Sequence, residues 1–229
     1  MIYVLTYDYP HRKTQDLLFK LKLKGYDKIT VLSTPWEERK NFTPLIPHRN
    51  FTAHNLYPAD VCKSLNYNYI KLASYNEIPT LNTNDLILIG GAGIIPKELT
   101  DTNKIINAHP AYLPYVRGLD ALKWAIWDGL PIGVTSHIIS AEVDLGLLIK
   151  REILPIYYWD IFHSVAHRQY ELEINMLADS IQDLQSNELT LVENLEEITL
   201  PEPRKRMPHD HEIRLIQKFN KRIENLCLL

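Results

Sequence analysis

Residues 2–32 constrain the fold more than any other stretch of the chain. Ile2 to Thr6 is a short apolar run that reads as a buried strand. Thr14 to Leu23 then places Leu17, Leu18, Leu21 and Leu23 at helical spacing, Gly25 closes that helix, and Ile29 to Leu32 is a second buried run. A strand, helix, strand opening predicts a parallel sheet, because strands running the same way must be joined by a crossover. Tyr69 to Leu72, Leu86 to Ile89 and Lys104 to Asn107 add three strands with apolar centres, and Ala59 to Tyr67 a short helix. The expected class is α/β: a doubly wound, mostly parallel, Rossmann-like sheet.

Further along, Leu119 to Asp128 reads as a helix ended by Gly129 and Pro131. Ile132 to Ile139 and Leu147 to Ile153 read as a strand pair around a tight Asp144-Leu145-Gly146 turn, followed by a long helix from Trp159 to Gln185. Pro35 to Pro58 reads as a surface loop. With 45% hydrophobic residues in 229, the chain can bury a full core. Residues 1–187 are expected to form one catalytic domain. Residues 188–229 hold a β-like piece, Leu189 to Val192, and a charged helix, His209 to Leu226. They are read as a small helical appendage, and a homodimer is the assembly such an arm would support.

Composition excludes several classes. Cys62 and Cys227 are too few and too far apart for a disulfide framework, so a reducing compartment, the cytoplasm, is expected. Asp8 and then His11, Arg12 and Lys13 break the first apolar run before it could span a membrane. A formal net charge of -3 gives no electrostatic footprint for nucleic acid, and Arg204-Lys205-Arg206 reads as a solvated turn. Tyr7-Asp8-Tyr9-Pro10-His11-Arg12 stands where a dinucleotide binder has its glycine loop, which argues against NAD or ATP at that edge. His163 and His167 are one helical turn apart but lack a third ligand, and Pro208-His209-Asp210-His211 reads as a helix start, so no metal is expected.

The densest reactive cluster is Asn107-Ala108-His109-Pro110, where a buried strand ends. Thr135, His137 and Asp144 form a second, and a right-handed crossover is expected to set the two strand ends side by side. An imidazole, a carboxylate and an amide donor suit acyl transfer. The first cluster holds no serine or cysteine nucleophile, which favours direct attack by a substrate amine. Taken locally, Asn107 and His109 also fit a strand-end hydrogen-bonding pair, Asp144 a turn residue, and His137 a near-core histidine.

The combined pattern is more specific. Asn107-Ala108-His109-Pro110-Ala111-Tyr112-Leu113-Pro114-Tyr115-Val116-Arg117-Gly118, then Gly133-Val134-Thr135-Ser136-His137 and Asp144-Leu145-Gly146, resembles the 10-formyltetrahydrofolate-dependent formyltransferase family. Ala111 stands for the family's usual serine and Tyr112 for its first leucine. The resemblance implies catalytic roles for Asn107, His109 and Asp144. It implies a folate loop at Gly93, Ile94, Ile95 and Pro96, with Val143 opposite. Acceptor contacts are expected from His11, Arg12, Lys13, Tyr115, Arg117 and Gly118. The many tyrosines, with Trp124 and Trp127, offer surfaces that stack on a base or sugar, although core packing explains most aromatics without a ligand. Without a glycine loop after the first strand, the chain looks unlike the glycinamide ribonucleotide branch. Nor does it show the extra domains of the methionyl-tRNA enzymes or the formyltetrahydrofolate hydrolases. The branch implied acts on nucleotide-linked amino sugars, a dTDP-4-amino-4,6-dideoxyhexose for preference, with 10-formyltetrahydrofolate as co-substrate, in making O-antigen or another surface polysaccharide. The alternatives are another folate formyl enzyme, a glycinamide ribonucleotide formyltransferase or a formyltetrahydrofolate hydrolase, and, from another class, a non-catalytic sensor of folate or sugar nucleotide.

Overall fold

A computed structural model describes residues 1–36, 42–48, 56–144, 146–185 and 201–226. Its strands are β1 (Ile2–Tyr7), β2 (Ile29–Thr34), β3 (Asn68–Lys71), β4 (Leu86–Ile89), β5 (Lys104–His109), β6 (Gly133–Ile139) and β7 (Gly146–Ile153). The helices are α1 (Arg12–Leu23), α2 (Pro58–Leu65), α3 (Lys97–Thr102), α4 (Ala121–Trp127), α5 (Phe162–Gln185) and α6 (His209–Leu226). One sheet holds the strands in the order β3-β2-β1-β4-β5-β6-β7, and β1 to β5 are parallel.

The apolar strand runs follow from burial on both faces. Val4, Val31, Leu88, Ile106, Ala108 and Val134 pack on one face against Leu17, Leu18 and Leu21 of α1 and Ile174, Leu177 and Ile181 of α5. Leu5, Leu32, Ile87 and Ile105 point the other way, against Leu72 and Ile95. That second face carries the candidate site.

The expected crossover into β6 does not form. β6 runs antiparallel to β5, with Asn107 opposite His137 and His109 opposite Thr135. The chain therefore re-enters the sheet from the end at which it left. Several boundaries also move by one to three residues; near the site, α1 begins at Arg12 and β5 runs on to His109.

α6 docks against the body of the protein. Its Leu215 and Phe219, with Met207, are buried with Leu122, Ala125 and Ile126 of α4 and Phe162 of α5. Lys123 of α4 and Glu212 of α6, both fully buried, form an ion pair inside this contact. The Leu189 to Val192 piece lies outside the described residues. No helix among the described residues is long and apolar enough to cross a membrane.

Candidate active site

Strand periodicity sets the direction of the key side chains. Ile106 and Ala108 face α5, so Asn107 and His109 share the opposite face with Ile105. The ladder between β4 and β5 ends at Ile106, so residues 107–109 run on past β4. Sheet order reverses between β1 and β4, the crevice where open α/β sheets bind ligands. A cavity of about 1120 Å³ opens there, lined among others by Tyr7, Trp36, Gly93, Asn107, Val143 and Asp144.

Asp144 reaches His109 because residues 140–144 fold back over the sheet. Two contacts hold them. Arg117 donates through Nε and Nη2 to Val143 O at 3.1 and 2.6 Å, and the Gly118 N–H donates to Asp144 Oδ2 at 2.6 Å. Asp144 itself sits at φ 54°, a left-handed conformation that aspartate tolerates better than most residues. Gly118 must be glycine: its φ is 87°, and a Cβ would lie 2.3 Å from Arg204 O.

Asp144 Oδ1 then lies 3.2 Å from His109 Nδ1. The imidazole is only 5% exposed, and its Nε2 has no hydrogen-bond partner among the described residues. The carboxylate beside Nδ1 favours the tautomer that carries its proton on that nitrogen, and such a neutral ring presents the Nε2 lone pair as a base. Thr135 shapes the following loop, donating to Ala111 O at 2.8 Å and accepting from Leu113 N at 3.0 Å. His137 is fully buried across from Asn107.

The other expected site residues divide. Gly93, Ile94 and Val143 line the cavity, with Ile94 87% exposed, and Gly93 N–H donates to the Tyr75 hydroxyl at 3.0 Å. Ile95 touches the cavity, but its side chain is buried in the core, and Pro96 caps α3. His11 lines the cavity, its ring so close to Gly91 that a Cβ there would lie 2.8 Å from Nδ1.

The cations are already paired. Arg12 pairs with Asp16 at 2.6 Å; Lys13 lines the cavity, but its ammonium is held by Glu173 at 2.7 Å. Arg117, 6% exposed, spends its guanidinium on Val143 O and on Pro201 O. Tyr115 stacks on Tyr112 away from the cavity lining. Trp124 donates its indole N–H to Lys205 O, and Trp127 lies under the Lys218 ammonium, so both belong to the α4–α6 contact. His163 Nε2 lies 3.1 Å from Pro47 O. No group of three or more potential metal ligands comes together among the described residues.

The tyrosines are expected as a class to stack on a ligand, but the sequence does not single out Trp36 or the rim it forms with Tyr7 and Tyr9. Tyr7 meets Trp36 edge to face with centroids 4.8 Å apart, and Tyr9 stacks on Trp36 at 5.3 Å. The available signal was position, since Tyr7 ends β1 and Tyr9 and Trp36 lie two residues past the ends of β1 and β2. Beside them, Lys71 and then Tyr69 donate to Asp8 and hold its carboxyl below the usual range. Burial, and then the Asp8 charge, push the Tyr69 phenol up to about 12, so it remains a donor.

The formyl transferase family matches residues 37–181. Methionyl-tRNA formyltransferase of Citrifermentans bemidjiense is 32% identical over 119 residues, covering 51% of this chain and 37% of that protein. A dTDP-4-amino-4,6-dideoxyglucose formyltransferase of Mycobacterium bovis is 34% identical over 91 residues, covering 38% and 39%. The matches thus span less than two fifths of either relative. A formyltransferase of Anoxybacillus kamchatkensis, solved with UDP-4,6-dideoxy-4-formamido-L-AltNAc and tetrahydrofolate, shares the fold. Its TM-score is 0.52 at 16% identity, covering 95% of this chain and 99% of that one. The matched segment takes in more than half of the chain and every member of the Asn107, His109 and Asp144 set, and the protein belongs to the formyl transferase family.

Proposed function

We propose that this protein transfers the formyl group of 10-formyltetrahydrofolate to the amine of a sugar carried on a nucleoside diphosphate, with a dTDP-linked 4-amino-4,6-dideoxyhexose preferred. The observation that carries the reading is His109: buried, oriented by Asp144 through Nδ1, with Nε2 unmet and with Asn107 and Asp144 lining one cavity. A buried polar atom without a partner costs about 1–3 kcal/mol, so it is expected where a substrate completes the set.

The amine nitrogen attacks the formyl carbon and forms the new C–N bond. Asn107 donates to the oxygen as it gains negative charge. His109 takes the proton that the amine loses and returns one to the departing folate nitrogen, and Asp144 stabilises the imidazolium between the two steps. No covalent enzyme intermediate is needed. The cavity exceeds the usual span of roughly 300–1,000 Å³ for one ligand, as two substrates require. Gly93, Ile94 and Val143 form the side suited to the folate.

The Tyr7, Tyr9 and Trp36 rim offers aromatic faces to a base, and base stacking on such faces contributes about 1–3 kcal/mol. It replaces Trp124 and Trp127 as the stacking surface. The M. bovis relative's name supports the choice of sugar. A formylated sugar nucleotide suits surface-polysaccharide assembly from the cytoplasmic side. Calorimetric titration with deoxythymidine diphosphate, uridine diphosphate and glycinamide ribonucleotide tests the acceptor. Heat with the deoxythymidine nucleotide is expected. Heat with the ribonucleotide alone would return the chain to purine synthesis.

A further inference from the structure

The strand that carries Asn107 and His109 is anchored by groups the reaction does not consume: Gln169 and Glu173 on α5, and Lys13 at the margin of the cavity. α5 presents Gln169 and Glu173 four residues apart on one buried face. Gln169 Nε2 donates to Pro110 O at 2.8 Å and to Gly133 O at 2.9 Å. Glu173 holds the Lys13 ammonium at 2.7 Å, and Lys13 donates to Ala108 O at 3.3 Å. Ala108 and Pro110 flank His109 in the chain. We propose that Gln169 and the Glu173–Lys13 pair are positioning residues for formyl transfer, fixing the peptide units on either side of His109. The imidazole is thereby aimed at Asp144, and the Asn107 amide at the cavity.

This assignment rests on the formyl-transfer reading. The ladder to β4 ends at Ile106, so the catalytic end of β5 has lost its parallel neighbour where Lys13 takes over. Stability alone does not call for an ion pair there, because well-packed apolar residues replace such pairs at little or no cost. A charged donor on Ala108 O is, however, stronger than a neutral one. Misplacing a reacting group by about 1 Å costs on the order of 100-fold in rate.

The test compares Lys13→Met/Glu173→Leu, Gln169→Met and Lys13→Arg with the wild type. The first two variants are expected to lose roughly 10- to 100-fold in kcat while KM for both substrates stays within about threefold, the signature of a transition-state loss. Lys13→Arg keeps the donor and should restore most of kcat. The proton–nitrogen correlation spectrum of the His109 ring should move in both damaging variants. Folded Lys13→Met/Glu173→Leu or Gln169→Met protein with wild-type kcat and an unmoved His109 spectrum would overturn the assignment. If the wild type formylates no acceptor, the formyl-transfer reading fails, and the His109 spectrum alone still decides whether these residues position the ring.

Discussion

The protein buries two polar clusters, and they are completed differently. Around Lys123 every charge is met: its ammonium sits on Glu212, whose other oxygen accepts the Leu45 N–H at 2.9 Å. Around His109 one ring nitrogen is met by Asp144, and the other has no partner among the described residues. Burial is comparable in both. The first cluster needs nothing from outside and fastens α6 to α4; the second is left one partner short beside a cavity. Completeness of hydrogen bonding, more than burial or charge, separates a fastening from a site.

Mutations should break the two clusters in opposite ways. His109→Asn is expected to lower kcat by roughly 100- to 10,000-fold while leaving the denaturant midpoint nearly unchanged. Parallel stability and turnover measurements check this, and equal losses in both would erase the contrast. Lys123→Met should do the reverse, destabilising by about 3–5 kcal/mol because Glu212 is left as an unpaired buried charge. The Lys123→Met/Glu212→Leu variant should recover most of that loss in urea titrations, and the folded fraction should keep its kcat. Asn107→Ala should remove about 3 kcal/mol of transition-state stabilisation, seen as lower kcat with little change in melting.

The smallest effect is a pH dependence confined to the fastening. Burial pushes the Glu212 carboxyl up, but the Lys123 hydrogen bond and the Leu45 and Ile46 amides outweigh it and hold the group below its usual range. A depressed carboxylate contributes stability that is complete above its unfolded pKa and is lost as pH falls through the folded one. Acid titration followed by the fluorescence of Trp124 and Trp127 should therefore show α6 loosening only below the ordinary glutamate range. Glu212→Gln should remove that transition.

Much of this contrast was legible in the sequence, and the reasons for the rest are specific. β1, β2, β4 and β5 announced themselves because both faces are buried, while β3 is an exposed edge strand; His109 and Asp144 of the motif lie 3.2 Å apart in the fold. Strand direction was not legible at β6, since a period of two fixes faces and leaves polarity open. Arg12, Lys13 and Arg117 read as available cations because their partners, Asp16 aside, lie far away in the chain: Glu173 for Lys13, Val143 O and Pro201 O for Arg117. Gly118 read as a substrate contact, whereas its N–H holds Asp144. Trp36 was hidden in a long loop, and its value lies in contacts with Tyr7 and Tyr9 that only the fold creates.

The most direct test of the central claim is product analysis. Wild-type protein and His109→Asn are incubated with 10-formyltetrahydrofolate and a panel of nucleotide-linked 3-amino and 4-amino sugars, and mass spectrometry follows each acceptor. The account predicts that the wild type adds one formyl group to a dTDP-linked 4-amino sugar and releases tetrahydrofolate in equal amount, and that His109→Asn yields almost none. Release of tetrahydrofolate with formate and no formylated sugar would contradict it, as would His109→Asn matching the wild type.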